Sequence, residues 1–147
     1  MNPYRHILLA TDFSELALNA AYRATDLAEH YKARLTIFHV IEHFPEDLPN
    51  DFIPPEDKDP KTYLSQQARE KLKTLAVEIG RPDAEIAVKF SSRSAKAEIL
   101  QFARYGGVDM LVLGTHGQPG VGDFVGSTAC GVVQHAPCDV LAVRGGA

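Results

Sequence analysis

Five short apolar runs alternate with four helical patterns along this chain, and that alternation limits the fold more than any other feature. The runs are His6-Ile7-Leu8-Leu9-Ala10, Leu35 to Ile41, Ile86 to Phe90, Asp109 to Leu113 and Val140 to Val143. The first two are nearly continuous in apolar residues, as central parallel strands covered on both faces must be. Strand, helix, strand repeated in this order predicts an α/β fold, a five-stranded parallel sheet with helices on both faces. The length of 147 residues suits one domain over 1–147 with a sizeable core. No internal repeat or low-complexity segment interrupts it.

The helical patterns have recognisable ends. Ser14 reads as the N-cap of the first helix, whose apolar face carries Leu16, Ala17, Ala20, Ala21, Ala24, Leu27, Ala28 and Tyr31. The second helix places Leu64, Ala68, Leu72, Leu75, Ala76 and Ile79 on one face and ends near Gly80. Ser94 caps a third helix bearing Ala95, Ile99, Phe102 and Ala103, which stops at Gly106-Gly107. The fourth carries Ala129, Val132, Val133 and Ala136, with Pro137 just beyond. Lys89 lies between Val88 and Phe90, and that charge marks the third strand as an edge strand.

The segment Leu111 to Ser127, LVLGTHGQPGVGDFVGS, holds the strongest functional signal. A buried strand breaks at Gly114, passes Gly117, Gly120 and Gly122, and resumes at Gly126-Ser127 before a helix. Strand, glycine loop and helix start together offer free backbone N–H groups and a positive helix end to an anion, usually a phosphate. In a parallel sheet such a ligand sits beyond the carboxyl ends of the strands, where the strand order reverses. Ala10-Thr11-Asp12, Val40-Ile41 and the glycine loop all end there.

Composition excludes other classes. The formal charge of −4 is concentrated in residues 42 to 62, which hold seven acids and two lysines, so the remainder is close to neutral. That segment also has five of the nine prolines and reads as a variable acidic surface loop. No basic stripe is present for nucleic acid or a membrane surface. No apolar run approaches the roughly 20 residues of a membrane span, and the N-terminus lacks the shape of a signal peptide. The expected location is cytoplasmic. Cys130 and Cys138 form no C-x-x-C pair and read as small buried thiols. His6, His30, His43 and His135 show no ligand spacing, so no metal site is expected. His39, on an apolar strand, reads as a satisfied core histidine.

Several of these pieces resemble the universal stress protein family. They are Ile7-Leu8-Leu9-Ala10-Thr11-Asp12-Phe13-Ser14, Gly114-Thr115-His116-Gly117, Gly126-Ser127-Thr128, and the tail His135-Ala136-Pro137-Cys138-Asp139-Val140-Leu141-Ala142-Val143. The resemblance spans essentially the whole chain and is most specific in the C-terminal third. It implies a Rossmann-like (adenine nucleotide alpha hydrolase-like) domain, a homodimer joined through Val140 to Val143, and a site for ATP or AMP, with Mg²⁺ as a further candidate. On that model Ala10, Thr11, Asp12, Val40, Leu113, Gly114, His116, Gly117, Gly126, Ser127 and Thr128 form the nucleotide site. Gly126, Ser127 and Thr128 hold phosphate, Gly114 and Gly117 shape the loop, and Asp12 with the Val40 backbone holds the adenosine end. Nucleotide-binding members carry G-x2-G-x9-G-[ST]; here eight residues separate Gly117 from Gly126, so the loop is one residue short. All three glycines and the serine are kept, and the loop reads as altered rather than lost.

Each of these residues also has a plainer role open to it. Asp12 can simply cap the following helix. Gly114 and Gly117 can simply make a tight turn. His116 can be an exposed loop residue. No Lys or Arg lies between Arg104 and Arg144, and Asp123 would repel a triphosphate that no metal bridges. A phosphoryl-transfer enzyme needs cations at the developing charge, and the Walker pattern is absent. The reading is a stress-response regulatory module that binds an adenine nucleotide without efficient turnover. A nucleotide-free dimeric scaffold acting through protein partners is the alternative, and a slow ATPase is the third.

Overall fold

The computed structural model describes residues 4–15, 17–42, 59–91, 94–115 and 127–144, and of Ser127 only the backbone. Its elements run β1 His6–Ala10, α1 Leu18–Tyr31, β2 Arg34–Ile41, α2 Pro60–Glu78, β3 Glu85–Phe90, α3 Ala95–Tyr105, β4 Met110–Gly114, α4 Ser127–His135 and β5 Asp139–Val143. All strand pairings are parallel, in the order β3-β2-β1-β4-β5. The expected α/β class and the edge position of β3 are both observed.

Side-chain alternation in the strands explains the continuous apolar runs. In β1, Ile7 and Leu9 enter one core while Leu8 and Ala10 enter the other. Leu35 and Ile37 of β2 and Met110 and Val112 of β4 join the first core, under α1 and α2. Phe38 and Val40, with Leu111 and Leu113, join the second, under α3 and α4. Right-handed crossovers put the helices made before the order reverses on one face and those made after it on the other.

The helix ends refine the sequence reading. Ser94 Oγ accepts from the Ala97 amide at 3.1 Å, as expected of an N-cap. Replacing it with alanine is expected to cost about 1 kcal/mol in urea unfolding. Ser14 is not the cap of α1. Its Oγ and carbonyl both accept from Ala17 N at 3.1 Å, which closes a separate turn, and α1 starts only at Leu18. Residues 60–62, assigned to the acidic loop, instead make the first turn of α2. Asp59 caps it through Thr62 N at 3.3 Å, and Pro60 takes the first position, where its missing N–H costs nothing. The rest of that loop, 43–58, lies outside the described residues.

Two further expectations are corrected. Val133 is exposed, and the inward position on α4 is taken by Gly131, over which the Lys96 stem passes. Cys130 is exposed because nine residues of α4 present only one stripe to the sheet, and Ala129 and Val132 fill it; Cys138, between α4 and β5, is half-buried against the second core.

A partly buried polar cluster, centred on His6 and Thr36, sits at the amino ends of the strands, and no local pattern in the chain signals it. The His6 ring packs its Nδ1 3.1 Å from the Gly106 carbonyl and its Nε2 2.7 Å from Thr36 Oγ1. Arg34 Nη2 lies 3.2 Å from Nδ1 while its Nε pairs with Glu85 at 3.0 Å. Asp109 Oδ2 accepts from the amides of Arg5 and His6, tying β1 to the start of β4. Burial, and then the Arg34 guanidinium, push the His6 imidazole below its ordinary value of 6.5.

Candidate functional site

The cleft lies at the carboxyl ends of β1, β2 and β4, where the chain leaves β3 at one edge and returns beside β1 as β4. This is the switch point where a parallel sheet opens a crevice. It encloses about 160 Å³. Ala10, Thr11, Asp12, Val40, Leu113, Gly114 and Thr128 line it, which brings together seven residues chosen from the sequence. Ser127 begins α4 beside them. His116, Gly117 and Gly126 fall outside the described residues.

Local structure fixes the first wall. Asp12 Oδ1 accepts from Ser14 N at 3.0 Å, and Thr11 Oγ1 accepts from Phe13 N at 3.1 Å. Phe13 stands at φ 65°, a left-handed conformation that costs an L-residue about 1–2 kcal/mol. Its ring packs tilted against His39 with centroids 4.3 Å apart, and Lys71 Nζ lies 5.4 Å from the ring centre. Those contacts offset the strain and hold Asp12 at the mouth.

The sequence reading missed part of the wall. His39 is half-buried and lines the cleft rather than sitting sealed in the core. Its Nδ1–H donates to the Thr11 carbonyl at 2.8 Å, so β2 positions the β1 loop directly. Ala95 and Ile99 of α3 supply an apolar side, and Ala129 of α4 closes it. One signal could have found them. The Ser94 cap places the α3 start at the carboxyl end of β3, on the same rim as the glycine loop.

Burial pushes the His39 imidazole below 6.5, against the opposing hydrogen bond to Thr11 and the charge of Asp12. His6 is shifted in the same direction. A folded pKa below the unfolded one means the unfolded chain binds more protons. The stabilisation is therefore fully present above about pH 6.5 and is lost as pH falls below it. Unfolding free energy is expected to decline with acidification in this range, and a His39→Gln, His6→Gln double variant should show a flatter slope in urea titrations at pH 5 to 7. An unchanged slope would show that neither ring carries the effect.

A parallel sheet with two helices per face and a cleft at its switch point defines the Rossmann-like α/β class. The universal stress protein family model matches residues 3–144, and the chain belongs to that family. Universal stress protein A homolog 1 of Coxiella burnetii is 32% identical over 140 residues, covering 95% of this chain and 96% of the relative. A universal stress protein of Thermus aquaticus is 37% identical over 142 residues, covering 96% and 99%. Among solved structures, UspA of Lactobacillus plantarum superposes with a TM-score of 0.71 at 24% identity, over 96% of this chain and 98% of that one. The Archaeoglobus fulgidus universal stress protein in complex with dAMP gives 0.66 at 19% identity, over 97% and 98%. A universal stress protein in complex with cAMP gives 0.66 at 24%, over 97% and 98%. These likenesses establish the shared fold. Among the described residues, no helix is long and apolar enough to cross a membrane.

Proposed function

We propose that this cleft binds an adenine nucleotide, ATP or AMP, and that the protein works as a cytoplasmic regulatory module without efficient turnover. The observation that carries the reading is the meeting of Asp12, Val40, Gly114 and Thr128 at the switch point beside the start of α4. Two neighbours of the same fold, described with dAMP and cAMP, support an adenosine-sized ligand there.

The residues present suit such a ligand. Ala10, Ile99 and Ala129 offer an apolar seat for a base. The Asp12 carboxylate is placed to accept from a ribose hydroxyl. Thr128 and the N-terminus of α4 face the phosphate end, where a helix contributes about 0.3–1 kcal/mol toward an anion. No lysine or arginine lines the cleft among the described residues, which supports holding phosphate rather than transferring it. Mg²⁺ would supply the positive charge that these residues lack.

Calorimetric titration of nucleotide-stripped protein with MgATP and with AMP tests the reading. Expected is one site per chain with a dissociation constant of micromolar order, about −8 kcal/mol. No heat at millimolar ligand, with an unchanged Tm, would transfer support to the nucleotide-free scaffold. Steady-state phosphate release should remain at background. Release abolished by Asp12→Ala would instead identify an ATPase.

The reading includes a homodimer joined through β5. Among the described residues that strand pairs with β4 on one side and with no strand on the other, and Val133 on the neighbouring α4 is exposed at 55%. Sedimentation at micromolar concentration should give twice the 16.1 kDa chain mass. A monomer would overturn this part.

A further inference from the structure

A second cavity lies between α3 and the edge strand β3. It is a groove of about 390 Å³, lined by Lys89, Glu98, Gln101, Phe102, Tyr105 and Gly106. It shares no lining residue with the nucleotide cleft. Glu98, Gln101, Phe102 and Tyr105 fall at helical spacing, so one face of α3 builds one wall. β3 is the edge strand, and Lys89 on it forms the facing side.

Glu98 is the unusual member. Its side chain is 5% exposed, yet Oε2 accepts no hydrogen bond among the described residues. Its first-turn position on α3 gives the charge some support from the helix dipole. Lys89 Nζ stands 3.6 Å from Oε2, beyond hydrogen-bond length, and the Lys89 side chain is 53% exposed. Among the described residues that loose pair leaves a buried carboxylate oxygen without a hydrogen-bond donor, a costly arrangement. Around it, Tyr105 is 78% exposed at the rim, and Phe102 is braced from behind by Phe38, with centroids 4.7 Å apart.

We propose that the α3/β3 groove is a binding site for an organic cation, an alkyl-borne guanidinium or ammonium, whose N–H groups hydrogen-bond Glu98 Oε2 and whose charge lies against Tyr105 and Phe102. A carboxylate at the base and aromatic faces at the side form the donor-seeking, cation-attracting pair such a group requires. The Lys89 ammonium holds the place loosely and moves out toward solvent when the ligand enters. The same chemistry can arrive on a free small molecule or on an arginine side chain of another protein.

The test is titration of the ¹⁵N-labelled protein, followed by amide shifts. The probes are n-butylguanidinium, n-butylammonium, the neutral n-butylurea and a capped Gly-Arg-Gly peptide. Expected are shifts confined to residues 85–90 and 98–106, saturating at millimolar cation and absent with the urea. Glu98→Gln should abolish them, and Tyr105→Ala should weaken binding several-fold. Lys89→Ala removes the competing cation and should tighten binding by up to about fivefold, the equilibrium factor of an exposed ion pair. Lys89 and Tyr105 are surface residues, so those variants keep the test decisive if Glu98→Gln fails to fold. Tighter binding of the peptide than of n-butylguanidinium would identify a protein segment as the source, and the reverse a free metabolite. Equal shifts with n-butylurea, persistence in Glu98→Gln, or no response in both the natural protein and Lys89→Ala would each overturn the proposal. None of these readouts depends on nucleotide binding.

Discussion

Replacing Phe38 with alanine is expected to destabilise the protein by about 3–5 kcal/mol. Phe38 is 1% exposed in the centre of the sheet and belongs to the core under α3 and α4. Its ring stacks on Phe102 and also forms part of the cleft lining. Truncation removes the ring's burial and leaves a cavity that neighbouring strands, fixed by hydrogen bonds on both sides, are poorly able to close. A loss of this size is a large fraction of the 5–15 kcal/mol typical of a domain. At about 2–4 °C per kcal/mol, Tm should fall by roughly 6–20 °C. Urea unfolding should show a lower midpoint with an unchanged slope. A loss below about 1 kcal/mol would mean that α3 collapses onto the sheet, and nucleotide and cation binding should then both be altered.

Replacing Asp12 with alanine is expected to weaken adenine nucleotide binding by about 10- to 100-fold, the worth of a hydrogen bond to a charged group. The difficulty is that Asp12 has a structural duty, since Oδ1 accepts from Ser14 N at 3.0 Å. Alanine removes that bond too and should cost about 0.5–2 kcal/mol of stability, as the loss of a cap does. Asp12→Asn separates the two roles. The asparagine amide oxygen keeps the turn, so stability should hold, while the charge offered to the ligand is gone. Reduced affinity in both variants, with reduced stability only in the alanine form, is the expected calorimetric and urea-unfolding pattern. Affinity unchanged in Asp12→Asn would leave Asp12 as a turn residue alone.

The two residues differ in how far the sequence revealed them. Asp12 was visible because it ends an apolar strand ahead of a helix, and its two roles were both open from that position. Phe38 was one apolar residue among several in a run, and nothing local distinguishes the side chain that reaches the cleft from its neighbours. His39 shows the same limit from the other side. Its strand position reads as core, but β2 outlasts β1 at the carboxyl end, so the ring meets the Thr11 carbonyl and the cleft. The helix-start errors have a similar origin. Ser14 has the chemistry of a cap, and whether it caps a helix or a preceding turn depends on how Phe13 packs on His39.

The sequence by itself determined the order of elements, the parallel sheet, the edge position of β3 and the rim on which a ligand can sit. Those follow from apolar period, caps and crossover handedness, all of which are local or nearly so. Tertiary structure alone decided which side chains meet across that order. Pairing β1 with β4 brings residues about a hundred positions apart into register, Ile7 against Met110 and Leu8 against Leu111. That pairing puts Asp12 and Thr128 on one cleft and Gly106 against His6. Contacts at such separation leave no period in the chain, because they are fixed by the packing of whole elements rather than by the residues beside them.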